Sequence, residues 1–146
     1  MLAEVKNKFH VDAWRQITNV GGHIVEVVEK NSELRPAAAK LFFINLGGYK
    51  AGEFEEFHYR MIVAAADMSE AIRAGKQTAF YKHTGIKSAP AHVDDKYGIG
   101  VDDLYQIDDM LMPYDQNHFS IQLTASTVSK NEDTLQLGYF PIRVLK

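Results

Sequence analysis

The sequence predicts an α+β protein, with a mainly antiparallel β-sheet and one principal helix packed on it. Three observations carry this expectation. Several segments either alternate apolar and polar residues or run unbroken through apolar ones, and each is bounded by glycines or polar clusters. Residues 68–82 place apolar residues at helical spacing. The 146 residues contain no cysteine, so a chain long enough to build a packed core must rely on that core.

The first element is a hairpin. Residues 13–17 and 23–28 are β-leaning runs separated by Thr18-Asn19-Val20-Gly21-Gly22, whose glycines supply the positive φ angles of a tight turn. Residues 31–40 form a connection, with one helical turn expected from Pro36 to Lys40. The apolar run 41–46, ended by Gly47-Gly48, predicts a central strand covered on both faces. A polar, acidic loop leads to a second strand over 57–65.

Asp67 then stands as an N-cap with Glu70 in capping-box position. Met68, Ala71, Ile72, Gly75 and Ala79 follow as the apolar stripe of the helix. Residues 84–97 read as loop, 101–107 as a short strand and 108–117 as a long turn. Phe119, Ile121 and Leu123 alternate with Ser120, Gln122 and Thr124, the period of a strand with one wet face. A polar loop over 126–134 precedes a last strand over 135–145, where Pro141 argues for an edge position.

Charge and hydropathy exclude several classes. Residues 92–146 carry four basic and nine acidic side chains, which produces the overall net charge of −3. The chain has no basic stripe, so nucleic acid and anionic membranes are not expected partners. No apolar stretch is long enough to span a bilayer, and the N-terminus lacks the apolar core of a signal peptide, so a cytoplasmic location is expected.

An internal repeat is visible. Val11-Asp12-Ala13-Trp14-Arg15-Gln16-Ile17 matches Val101-Asp102-Asp103-Leu104-Tyr105-Gln106-Ile107 at valine, aspartate, glutamine and isoleucine. Each segment is followed by a turn, a histidine (His23 or His118) and a strand-like run. A rival register aligns His10-Val11-Asp12 with His92-Val93-Asp94.

The run Leu41-Phe42-Phe43-Ile44-Asn45-Leu46-Gly47-Gly48-Tyr49, followed by Glu56-Phe57-His58, resembles the bacterial family catalogued as domain of unknown function 1543. His10-Val11-Asp12-Ala13-Trp14, with Gly21-Gly22-His23 before a strand, is similar to the end of a family copy, and Gly138-Tyr139-Phe140-Pro141-Ile142 to its closing segment. The resemblance implies a single domain over 1–146 built from one partial and one complete β-rich repeat. Residues 1–30 would be the tail of the first copy, 31–40 the connection and 41–146 the second copy. It implies no catalytic residues.

A partial copy exposes an apolar face and a strand edge, which a second chain can cover, so a homodimer is expected. The leading functional expectation is a small, non-catalytic binding or protein-interaction module. The alternative is a small-molecule-binding protein or enzyme at Glu56 and His58. These lie two apart on a strand and project from one face. A carboxylate beside an imidazole suits acid–base work, or part of a metal site if a third ligand joins. Asn45 and Tyr49 on the preceding strand are ligand-binding candidates if those strands pair. The plainer reading of all four is a hydrogen-bonded polar patch.

Other constellations are weaker. His10, His92 and Asp94 lack a fixed metal-ligand spacing. The pairs Asp94-Asp95, Asp102-Asp103 and Asp108-Asp109 lack calcium-loop spacing and read as a solvated acidic loop. Gly47-Gly48 has no following lysine or helix to hold phosphate and reads as a turn or bulge. The aromatic residues read as core rather than cavity lining. No metal site and no cofactor is assigned. Convergence of Glu56 and His58 would favour the ligand site; their pointing apart into water would remove it.

Overall fold

The computed structural model describes residues 9–30, 38–49, 54–78, 100–127 and 133–141. In chain order the elements are β1 (His10–Trp14), β2 (Asn19–Val20), β3 (His23–Glu29), β4 (Lys40–Tyr49), β5 (Glu56–Ala65), α1 (Met68–Lys76), β6 (Val101–Gln106), α2 (Ile107–Met110), α3 (Pro113–His118), β7 (Phe119–Ala125) and β8 (Gln136–Pro141). Every strand pairing is antiparallel, so the protein is α+β and mainly β as expected.

Among the described residues the strands form three sheets, ordered β5-β4-β6, β2-β3-β7 and β1-β8. The β5-β4-β6 sheet holds the core. Phe42, Ile44 and Leu46 of β4 point to one face, level with Val63 of β5 and with Leu104 and Val101 of β6. Ala71 of α1 closes the cluster from above, with Ile72 and Ala74 at its border. Burying each large side chain of this kind contributes about 1.5–3 kcal/mol. As the apolar run implied, β4 is central and also buried on its other face at Leu41 and Asn45.

Helix α1 starts as its sequence dictates. The Asp67 side chain accepts from Glu70 N at 2.8 Å, and the Glu70 carboxylate accepts from Ala66 N at 2.7 Å. It stops at Lys76, earlier than the periodicity implied. Both the backbone N–H and the hydroxyl of Thr78 donate to Gly75 O, which closes the last turn. Ala79, the last residue of the expected stripe, lies outside the described residues.

Gly75 is buried against β4, yet a Cβ there would sit 3.5 Å from Leu46 Cδ2 and 3.6 Å from Ile44 Cδ1, ordinary contact distances. Gly75→Ala is therefore expected to raise stability by about 0.5–1 kcal/mol, through a smaller loss of backbone entropy. Urea denaturation checks this; a lowered midpoint would mean that the helix sits closer to the sheet than described.

The expected hairpin is present in altered form. Gly21 and Gly22 have φ of 55° and 77°, so both turn residues are left-handed, and the arms are β2 and β3 rather than residues 13–17 and 23–28. Residues 13 and 14 belong to β1, which pairs with β8. Asp133 explains the break. Its carboxylate accepts from Thr18 N and Thr18 Oγ1, both at 2.6 Å, and from Asn19 N at 3.1 Å, so Thr18 N is diverted from the next rung although Val25 N still donates to Thr18 O at 2.9 Å. The Thr18 hydroxyl, followed by these backbone donors, holds the Asp133 carboxyl below its ordinary value of 3.8.

The long turn expected over 108–117 instead contains α2 and α3, the second opened by Pro113, whose fixed φ suits a first helical position. Strand β7 pairs with β3 along its whole length, from His23↔Ala125 to Glu29↔Phe119. Its burial does not alternate: residues 119–123 are all half-buried. Strand β8 pairs with β1 alone among the described residues, the edge position that Pro141 implied. The helical turn expected near Pro36 and the loop expected over 84–97 fall wholly or largely outside the described residues.

Candidate functional site

The candidate site lies on the face of β5-β4-β6 opposite α1. Residues directly opposite one another in an antiparallel pair share a face, so register alone assembles it. Asn45 is level with Arg60 of β5 and Asp103 of β6, Gly47 with His58, and Tyr49 with Glu56. The strand runs through Gly47-Gly48 to Tyr49, so these glycines do not end it as the sequence suggested.

A bulge completes the arrangement. The pairs Asn45↔Asp103 and Leu46↔Val101 leave Asp102 as an extra residue on β6. Val101 and Leu104 therefore both enter the core, while Asp102 and Asp103 are left to the other side. Asp102 and Asp103 thus belong to a strand, and Asp108 and Asp109 to α2, which corrects the reading of these pairs as an acidic loop. Asp94 and Asp95, with His92, lie outside the described residues.

Gly47 makes the site possible. His58 on β5 and Asp102 on β6 flank β4, and their side chains meet across it, His58 Nε2 lying 3.3 Å from Asp102 Oδ2. A Cβ on residue 47 would stand 2.4 Å from that same oxygen. Glycine here clears a path between two outer strands. Both side chains keep just over a third of their surface exposed, so each can reach a ligand from solvent.

Glu56 joins them: one ligand atom from each of Glu56, His58 and Asp102 lies within 4.8 Å of the others. This imidazole and two carboxylates can exchange a proton or hold a divalent cation. Asn45 supports the flank, donating from Nδ2 to Asp103 Oδ2 at 3.2 Å, while the Tyr105 hydroxyl lies 3.2 Å from Asp103 Oδ1. Asn45 Oδ1 is buried with no hydrogen-bond partner among the described residues. Tyr49 is placed by its backbone pairing with Glu56.

Of the residues the sequence singled out, Glu56 and His58 converge, and Asn45 lies on the same face two positions from Gly47. Sequence reasoning missed Asp102 and the purpose of Gly47. A signal was present: Val101-Asp102-Asp103-Leu104 puts two apolar residues three apart in a strand of period two, which requires an extra residue. His10 is elsewhere, 2.9 Å from Asp12 Oδ1 and stacked on Tyr139.

An open groove of about 300 Å³ lies away from this cluster, lined by Val27, Leu111, Asp115, Phe119 and Ile121. Several large apolar side chains of β3 and of the segment around Leu111 are exposed. Val27 is 69% exposed, Met112 69% and Tyr114 66%.

No protein family, curated protein or solved structure matches this chain. Among the described residues, no helix is long and apolar enough to cross a membrane.

Proposed function

We propose that this chain is a non-catalytic interaction module that pairs with a second copy of itself through the β3–β7 face. The exposure of Val27 in the middle of a strand carries this reading. Leu111, Phe119 and Ile121 line the groove with it, beside one carboxylate, Asp115, and Met110, Met112 and Tyr114 bracket Leu111 in sequence. A contiguous apolar surface on a small domain is characteristic of a contact surface. Self-pairing suits it because β7 lies at the edge of the β2-β3-β7 sheet, where a two-fold related copy presents the same surface in return.

The partial-repeat reading supports the same picture. In that repeat β1 corresponds to β6 and β3 to β7, so β3 pairs with its own counterpart. The matched residues Asp12 and Asp102 both fall at irregularities in their ladders. The strands of a shortened copy would thereby find partners within the chain, while Val27 would remain for a second one.

Light scattering on the eluting protein at micromolar concentration tests the proposal. Twice the chain mass is expected for the wild type, and the single-chain mass for Val27→Glu with an unchanged far-ultraviolet circular dichroism spectrum. A monodisperse wild-type monomer would overturn it.

A second reading, a ligand-binding site at Glu56 and His58, is favoured by their convergence with Asp102. His58 and Asp102 are each open to solvent over about a third of their surface, so a ligand can reach them from outside.

A further inference from the structure

We propose that Glu56, His58 and Asp102 bind one divalent transition cation of the zinc class, seated above Gly47. This rests on the reading of Glu56 and His58 as a ligand site and names what that site takes.

Geometry is the first argument. Nitrogen and oxygen ligands sit about 2.0–2.2 Å from zinc, so two ligands at the tetrahedral angle stand roughly 3.4 Å apart. His58 Nε2 and Asp102 Oδ2 are 3.3 Å apart, already at that separation. Glu56 lies within 4.8 Å of both and is exposed, so a rotamer change brings its carboxylate in.

The donor set is the second. One imidazole and two carboxylates suit zinc, manganese, cobalt or nickel, whereas calcium takes six to eight oxygens and magnesium keeps most of its water. Two carboxylates held this close repel each other, and a dication between them turns that repulsion into attraction. Arg60 shares the face but stands level with Asn45, one register step beyond His58.

Asn45 Oδ1, on the same strand face two positions from Gly47, is buried and finds no donor among the described residues. Native proteins satisfy such atoms with protein, water or an ion's hydration shell. The Nδ2 of the same amide fixes Asp103, next to the ligand Asp102. The face is thus built around its polar groups, and three protein ligands leave further positions on the ion for water or a small anion.

The test is a calorimetric titration of the full chain with zinc, paralleled by cobalt absorption spectra, which report coordination number. One ion per chain is expected. His58→Gln and Asp102→Asn should each weaken binding about 10- to 100-fold or more, the range seen even for residues one shell further out. His10→Gln, on the separate β1-β8 sheet, should leave it unchanged. Circular dichroism confirms that each variant is folded. Absence of zinc binding up to millimolar concentration would overturn the proposal, as would binding that survives His58→Gln and Asp102→Asn.

Nitrogen-15 spectra of the His58 ring distinguish a cation site from a site for other ligands. If acetate or inorganic phosphate shifts the ring resonances while zinc does not, the site binds ligands and the cation assignment is wrong. If none of the three shifts them, the ligand-site reading falls as well.

Discussion

Truncating Phe42 to alanine is expected to cost about 3–5 kcal/mol of folding stability, a large share of the 5–15 kcal/mol that holds a typical domain together. Phe42 is 2% exposed and stands on the central strand, level with Val63 on one side and Gln106 on the other. Its removal leaves a cavity that neighbours on three strands cannot all close, because each is fixed by its own ladder. Urea denaturation of the purified variant measures the loss. A cost below about 1 kcal/mol, comparable to an exposed substitution, would mean that the core lies elsewhere.

Gly47→Ala is expected to separate folding from binding. The new Cβ would meet Asp102 Oδ2 at 2.4 Å, Oδ1 at 2.7 Å and Cγ at 2.8 Å. The atoms in its way are the end of a half-exposed side chain, which can swing outward, so the stability change should stay within about 1 kcal/mol. The His58–Asp102 contact cannot survive that swing. Zinc affinity should therefore fall about tenfold or more while the unfolding midpoint barely moves. Calorimetry and denaturation on one preparation check both halves, and an unchanged affinity would show that Asp102 is not a ligand.

Much of the fold was legible because local signals agreed with tertiary ones. The run 41–46 is apolar at every position but Asn45, and only a central strand buried on both faces uses such a run. Asp67 and Glu70 announced the start of α1, since a cap depends on residues within one turn. The hairpin arms were misplaced for the opposite reason. The group that takes the Thr18 N–H from the ladder is Asp133, 115 positions away, and no local pattern reveals a partner at that distance.

The site was half legible. Glu56 and His58 share a face by the period of a strand, which spacing alone establishes. Asp102 comes from a strand that follows a long intervening segment, and its approach depends on a bulge and on a missing side chain at position 47. An aspartate pair in an acidic segment looks like a solvated surface until its strand is placed beside β4. Gly47-Gly48 looked like a stop signal because glycine is unfavourable inside a strand, except where two neighbouring side chains must pass over it.

The most direct measurement is a crystal of the wild-type protein grown with zinc, with diffraction recorded on both sides of the zinc absorption edge. One anomalous peak is predicted within ligand distance of Glu56, His58 and Asp102, above Gly47 and absent from Gly47→Ala crystals. A peak at another histidine, or none on this face of β5-β4-β6, would contradict the account.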